Sequence, residues 1–264
     1  MSSSNENGHK LGQGEAIEKT TTTAAVCIVS GGLDSICTAA YLKEMCYDLY
    51  ILTFSYGQRA IREIACARKF SKILKAKDHR IVNIGFMKEI YGTTNVLTNS
   101  KRHLPKKFDY SIVVPIRNAI FITIAAAWAI SINAKLVAYG AHIGDSHYPD
   151  CRPEFIKSIT DMLNIAESDG IKRGLRNEIN VWSPAVEKLD KHELLKVGYQ
   201  ILGDQIFKTW SCYSNGIKER RTNYYSERKN NVLLQCGICE SCINRKIAIS
   251  KAGIKDKTDY AKNE

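Results

Sequence analysis

No run of apolar residues in this 264-residue chain approaches the roughly 20 that a helix needs to cross a bilayer. The nearest, Ala119 to Ile130, is too short and holds Thr123, so it reads as a buried helix. The first residues lack the basic-then-apolar order of a secretory signal, and a cytoplasmic location without membrane attachment is expected. No stripe of arginines interleaved with aromatics appears. The formal charge of +11 is scattered along the chain. That pattern predicts attraction for small anions such as nucleotides and phosphates, not a stable nucleic-acid complex. No internal repeat is visible, and neither G-x-x-x-x-G-K-[ST] nor G-x-G-x-x-G occurs. A nucleotide site, if present, must be built another way.

What the chain does have is a 44% share of hydrophobic residues, enough for a packed core. Its length suits one domain with appendages. Residues 1–23 are polar and read as a flexible tail, residues 24–205 as the main domain, and residues 206–264 as a C-terminal metal-binding segment. Within the main domain, short apolar runs alternate with amphipathic stretches. Ala24 to Ser30, Leu49 to Ser55, Arg80 to Ile84, Leu136 to Ala141 and Asn180 to Pro184 read as buried strands. Helical spacing follows at about Asp34 to Met45, Ala60 to Leu74, Arg117 to Asn133, Pro153 to Ala166 and His192 to Leu202. The order predicts an α/β fold, a parallel sheet with helices on both faces. Gly85 to Ile112 has no clear period and reads as a long loop with one short helix, and such loops are often functional.

The sharpest local signal is Ser30-Gly31-Gly32-Leu33-Asp34-Ser35, between a buried strand and a helix. Two glycines let the backbone turn tightly and approach a ligand. The first N–H groups of the helix lack partners, and its dipole is positive there, so phosphate fits the corner. Ser30 and Ser35 add hydroxyl donors. Asp34 brings negative charge, which suits a Mg²⁺ ion bridging it to phosphate oxygens. Plain helix capping accounts for one of these residues but not the set. The segment resembles the PP-motif of the PP-loop ATP pyrophosphatases, which cleave ATP between its α and β phosphates and pass AMP to a substrate oxygen.

Nine cysteines in a reducing compartment point to metal or catalysis, not to disulfides. Cys27, Cys37, Cys46 and Cys66 lie among apolar residues and read as small core fillers. Cys236, Cys239 and Cys242 instead present three thiols at knuckle spacing. Tetrahedral zinc needs a fourth ligand. Cys212 is the best candidate, with Cys151, His192 or a loop histidine as alternatives. Four thiolates would make the zinc structural, and an iron–sulfur cluster is the rival occupant.

With both motifs in hand, the chain resembles the 7-cyano-7-deazaguanine synthases. The resemblance rests on SGGLDS at Ser30, FSYGQR from Phe54 to Arg59, VPIRN from Val114 to Asn118, YPDCRPEF from Tyr148 to Phe155, and SCY with CGICESC from Ser211 to Cys242. It covers roughly residues 24–250 and implies ATP, Mg²⁺ and Zn²⁺ as cofactors. It also implies 7-carboxy-7-deazaguanine and ammonia as substrates, and a homodimer. The implied reaction adenylates the acid, forms the amide, adenylates the amide oxygen and leaves the nitrile. No glutaminase domain is visible, so free ammonia is the expected nitrogen source. The loop from Ser30 to Ser35, with Gln58 and Arg59, is expected at ATP, with Asp34 and Arg117 catalytic. Pro115, Arg117, Asn118, Tyr148, Asp150, Cys151 and Arg152 are expected at the substrate, Asp150 accepting from the guanine-like N–H groups. His142 and His147 are further candidates for substrate contact. Two features depart from the family: residues 213–235 form a long linker before the cysteine triplet, expected to include a mobile loop, and Gly140 to His147 differs from the commoner form. Competing readings are a PP-loop tRNA sulfurtransferase, a non-catalytic nucleotide binder, and an enzyme adenylating another carboxylate such as a protein C-terminus.

Overall fold

A computed structural model of the chain describes residues 23–222 and 229–262. The expected tail falls, but for Thr23, outside the described residues, as does the segment 223–228 of the long linker.

The first strand, β1 (Ala24–Ile28), is apolar on both sides, and only its first residue has any notable exposure. It is followed by α1 (Leu33–Glu44), β2 (Asp48–Ser55), α2 (Arg62–Ile73), β3 (Asp78–Asn83) and a short α3 (Met87–Tyr91). Then come α4 (Arg117–Ser131), β4 (Leu136–Ala138), α5 (Pro153–Ala166), α6 (Ser168–Lys172), β5 (Asn180–Trp182) and α7 (Lys191–Leu202). The five strands are parallel, in the order β3-β2-β1-β4-β5. The alternation along β1 divides the core. Ala25 and Cys27 join α1 and α2 residues such as Ile36, Ala40 and Phe70 on one face. Val26 and Ile28 join α4 and α5 residues such as Ile122, Ala125 and Ile159 on the other. Side chains two apart in a strand share a face, so a continuous apolar run serves two layers.

This topology fixes where a ligand can bind. The chain winds outward from β1 to β3, then crosses to the opposite face and returns on the other side of β1. Right-handed crossovers demand that change of face. The loops leaving β1 and β4 therefore diverge, and a crevice opens between them at the carboxyl ends of the strands.

Most expected elements are present, with shifted ends. β4 and β5 stop at Ala138 and Trp182, earlier than the apolar runs suggested; beyond β4 the chain at Gly140 packs against the start of α1. Tyr110–Ser131 is long and apolar enough by composition to count as a membrane span. Its first part is a separate turn, however, and α4 buries Ile122, Ala125, Ala126 and Ala129 in the core.

The C-terminal segment corrects the loop expectation. The long linker contains an antiparallel hairpin, β6 (Ile217–Thr222) with β7 (Lys229–Leu234), register Ile217↔Leu234. A final helix, α8 (Glu240–Lys251), which the sequence reading did not anticipate, packs Ala248 and Ile249 against Leu194 and Leu195 of α7 and Leu33 of α1. The hairpin brings the chain back on itself, so Cys212 and Cys236 meet at its base despite their separation in sequence.

Candidate active site and metal centre

The Ser30–Ser35 loop fills the crevice at the end of β1. Gly31 has φ +100°, and a Cβ there would lie 2.1 Å from the Glu63 carbonyl oxygen, so only glycine lets the loop lie against α2. The serines brace the turn. Ser30 Oγ accepts from the Gly32 N–H (3.1 Å), and Ser35 Oγ donates to the Gly32 carbonyl (3.1 Å). Gly140, leaving β4, packs so closely that a Cβ would fall 2.8 Å from the Ser35 nitrogen.

A cleft of about 270 Å³ opens over this loop. Four helices present first-turn residues to it: Leu33, Asp34 and Ser35 of α1, Arg117 and Asn118 of α4, Lys191 of α7, and Glu240 and Ser241 of α8. Each helix start carries partial positive charge, so their convergence, together with the Arg117 and Lys191 side chains, favours an anion in the cleft.

Arg117 owes its position to an uncommon backbone. Ile116 before it adopts φ 49°, left-handed for a β-branched residue, and turns the chain into α4. The Arg117 guanidinium donates to the Tyr56 hydroxyl (3.2 Å) and sits 5.7 Å from that ring's centroid. Asn118 donates to Cys151 Sγ (3.5 Å). Cys151 is buried, and burial pushes its thiol well above the ordinary value, so it stays protonated.

Asp34 lies at the centre of a charged cluster. Lys191 Nζ donates to its Oδ2 at 2.8 Å, and His142 Nε2 is 3.8 Å from its Oδ1. Burial alone would lift the Asp34 carboxyl, but the Lys191 ammonium and then His142 outweigh that and hold it below the usual range. Asp145, 3.4 Å from His142, is pushed up instead, by burial first and by the Asp34 charge later, against the pull of His142 and Lys191. His142 is 4% exposed, and its ring nitrogens have no hydrogen-bond partner among the described residues.

Ser30, Gly32, Leu33, Asp34, Ser35, Gln58, Arg117, Asn118, Tyr148 and Cys151 all line the cleft. Gly31 faces α2 behind it. Gln58 also locks its own turn, accepting from the Tyr56 N–H and donating to the Phe54 carbonyl. Arg59 is directed elsewhere, its guanidinium donating to the Arg102 carbonyl (2.7 Å) and so latching the long loop. Pro115, Asp150, Arg152 and His147 are not in the cleft wall. The Pro115 carbonyl accepts from Tyr91, the Asp150 carbonyl accepts from Tyr139, Arg152 donates to the Ser146 carbonyl, and His147 packs on Phe108. Sequence reasoning missed Lys191 and Asp145, and also Ser211, Tyr213, Glu240 and Asn244. Ser211, Tyr213 and Glu240 lay inside the quoted cysteine motifs but were read only as neighbours of metal ligands, and Lys191 carried the signal of a helix start in the Asp190-x-x-Glu193 capping box.

The Sγ atoms of Cys212, Cys236, Cys239 and Cys242 all lie within 4.8 Å of one another, and all four residues are buried. Cys236 and Cys242 sulfurs are 3.9 Å apart. Zinc–sulfur bonds of about 2.3 Å at tetrahedral angles put sulfurs ~3.8 Å apart, so a single zinc fits. Backbone N–H groups of Cys236 and Cys239 point at Cys212 and Cys236 sulfurs (3.4 and 3.3 Å), as thiolates require. The open alternatives for the fourth ligand are resolved in space. Cys151 pairs with Asn118, and His192 lies 2.6 Å from Asp190. A closed set of four mutually close thiols also fits a mononuclear ion better than an iron–sulfur cluster, whose ligands stand around a larger body.

Residues 24–253 match the family described as queuosine biosynthesis protein QueC. Among curated relatives, the 7-cyano-7-deazaguanine synthase of Desulfatibacillum aliphaticivorans is 35% identical over 243 residues, covering 89% of this chain and 96% of that one. The synthase of Legionella pneumophila strain Corby is 36% identical, covering 90% and 97%. That of the archaeon Methanococcus maripaludis is 34% identical, covering 89% and 98%.

Proposed function

This chain belongs to the queuosine biosynthesis QueC family, and on that premise we propose that it is an ATP-dependent carbon–nitrogen ligase turning 7-carboxy-7-deazaguanine and ammonia into 7-cyano-7-deazaguanine. The observation that carries the reading is the convergence of four helix starts, with Arg117 and Lys191, on one cleft above the Ser30–Ser35 loop.

The chemistry removes two oxygens from a carboxylate carbon, and each is a poor leaving group until it carries AMP. In this reading the α1 N–H groups, with Ser30 and Ser35, hold the outer phosphates of ATP. Arg117 holds the substrate carboxylate in line with the α-phosphorus. The carboxylate oxygen attacks that phosphorus and pyrophosphate departs, its charge stabilised by Lys191 and the helix dipole. Ammonia adds to the acyl carbon, AMP leaves, and a proton is released, giving the amide. The amide oxygen then attacks a second ATP. Loss of AMP and of the remaining N–H protons leaves the nitrile. Asp34 and Asp145 would hold Mg²⁺, which supplies charge neutralisation for the phosphates. The cysteines would hold a structural Zn²⁺ that fixes the start of α8. Gln58, Asn118, Tyr148 and Cys151 shape the cleft around the substrates. Ammonia enters free, the protein works in the cytoplasm as a homodimer, and residues 24–205 and 206–264 form its two parts.

Sulfur transfer is not favoured. Cys151 is the only cysteine lining the cleft among the described residues, and burial keeps it a thiol. The test is to incubate the protein with ATP, Mg²⁺, ammonium and 7-carboxy-7-deazaguanine and follow mass and nucleotide. The expected result is the nitrile, with one AMP released for each oxygen removed. ATP turnover to ADP, or no nitrile, refutes the reading.

A further inference from the structure

Glu240 has no place in the steps above, yet it is built into the cleft. It opens α8 between Cys239 and Cys242, is 7% exposed and lines the cavity. Its Oε2 accepts from the Tyr213 hydroxyl at 2.8 Å, and its Oε1 accepts from the Asn244 amide. Its backbone N–H is tied to the Pro105 carbonyl (2.9 Å).

An ionised carboxylate offers about four lone-pair sites. The Tyr213 hydroxyl and the Asn244 amide occupy two of them, one on each oxygen, and leave acceptor positions on both oxygens. The lone pairs still free suit a ligand bearing two adjacent N–H donors. A guanine-type edge has that form, a ring N–H beside an exocyclic amine. We propose that Glu240 is the specificity-determining residue of this site, its carboxylate accepting from both groups and so selecting a guanine-like bicycle. This rests on the deazaguanine reading above.

The surroundings agree. Tyr148 and Tyr213 are neighbouring cleft residues, and burial raises both phenols, keeping them neutral donors beside the carboxylate. Arg117, from α4, lies in the same cleft, so the two groups supply opposite charges for a substrate with an amine-bearing edge and a carboxylate at its other end. The sequence had suggested Asp150 for this task, but Asp150 is outside the wall. Glu240 was hidden because it looks like a spacer between two metal ligands. The cysteine knuckle thereby acquires a second consequence, since it fixes the residue that reads the base.

The test compares wild type with Glu240→Gln, using 7-carboxy-7-deazaguanine and its analogue lacking the 2-amino group. Gln keeps the shape but presents an N–H to the substrate's donors. The expected result is a KM for the full substrate raised about 10- to 100-fold, the range of a charged hydrogen bond. The KM for ATP and the bound zinc should be unchanged. Wild type should prefer the amino substrate by roughly 10-fold or more, and that preference should collapse in the variant. A retained preference, or a rise in the KM for ammonium instead, overturns the proposal. Should Glu240→Gln lose its metal, Glu240→Asp takes its place. It is expected to keep the preference with a smaller rise in KM, and a KM for the full substrate equal to wild type in a metal-replete Glu240→Asp overturns the proposal equally. If wild type itself leaves the deazaguanine acid untouched, the reaction assignment falls first and separately.

Discussion

Replacing Gly31 with alanine tests how the phosphate loop is held. At φ +100° the added Cβ would stand 2.1 Å from the Glu63 carbonyl oxygen, 2.9 Å from the Ala67 nitrogen and 3.0 Å from the Cys66 Cβ. Two of these are backbone atoms of α2, so no side-chain rotation relieves them. The left-handed conformation costs about 1–2 kcal/mol, and pushing α2 off the sheet about 1–3 kcal/mol more. A total of roughly 2–5 kcal/mol is a large part of the ~5–15 kcal/mol of a typical domain. The damage should also reach ligand binding. The Gly31 carbonyl accepts from the Trp210 N–H at 2.9 Å, so moving the loop disturbs the chain leading to Ser211 and Cys212. Urea unfolding with and without ATP reads both effects. Wild type should gain about 2.7 kcal/mol at ATP 100-fold above Kd, and Gly31→Ala should start lower and gain little. A variant within ~0.5 kcal/mol of wild type that keeps the full ATP increment refutes the loop geometry.

Lys191→Met should lower ATP affinity about 10- to 100-fold and lower the melting temperature too, because it removes the ammonium that holds the Asp34 carboxyl down; an unchanged rate of AMP release argues against a phosphate role. Cys239→Ser, or a strong chelator, should release stoichiometric zinc and lower the melting temperature by roughly 6–12 °C for a loss of ~3 kcal/mol, and metal analysis finding none in the purified protein would refute this. His79 gives a pH test: burial first, then Arg68, hold its imidazole below the usual 6.5, so the folded state resists a proton the unfolded chain accepts. Stability should be full above pH 6.5 and fall as pH drops through the lower folded value, and His79→Gln should flatten that decline in denaturant titrations at pH 5 and 7.5.

The main sheet was legible because its physics is local. A run such as Ala24–Ile28 has one reading as a strand buried on both faces, and paired glycines between strand and helix have few uses besides a tight turn on a ligand. Gln58, Arg117, Asn118, Tyr148 and Cys151 stood out by their motifs and line the cleft, but the residues that α7 and α8 bring in did not, since the wall is assembled from helix starts far apart in sequence. Lys191 and Glu240 look like ordinary charged residues at the heads of amphipathic helices. Asp150 and Arg152 stand inside a conspicuous motif, but in the turn at Pro149 the Asp150 carbonyl accepts from the Tyr139 hydroxyl and Arg152 donates to the Ser146 carbonyl, while Tyr148 and Cys151 line the cleft. The hairpin escaped notice because Ile217–Thr222 is polar and charged, and its pairing comes from the chain reversing on itself.

The C-terminal segment is better understood as one wall of the site than as an appendage. Arg245 of α8 is fully buried, and its guanidinium donates to Thr209 Oγ1 (2.6 Å), Ser211 Oγ (3.1 Å), the Ile206 carbonyl (3.3 Å) and Thr258 Oγ1 (3.1 Å). A buried cation so fully bonded ties the chain before Cys212 to the chain after α8, and its removal would strand several polar groups. Ser211 Oγ also lies 3.4 Å from the Leu33 N–H, the first residue of α1. The start of α1 is thus held by Ser211, Ser211 by Arg245, and the helix carrying Arg245 begins in the cysteine knuckle. A metal held by the four cysteines would not need to touch a substrate to affect the site, because through these contacts it would set both the loop proposed to grip phosphate and the carboxylate proposed to read the base.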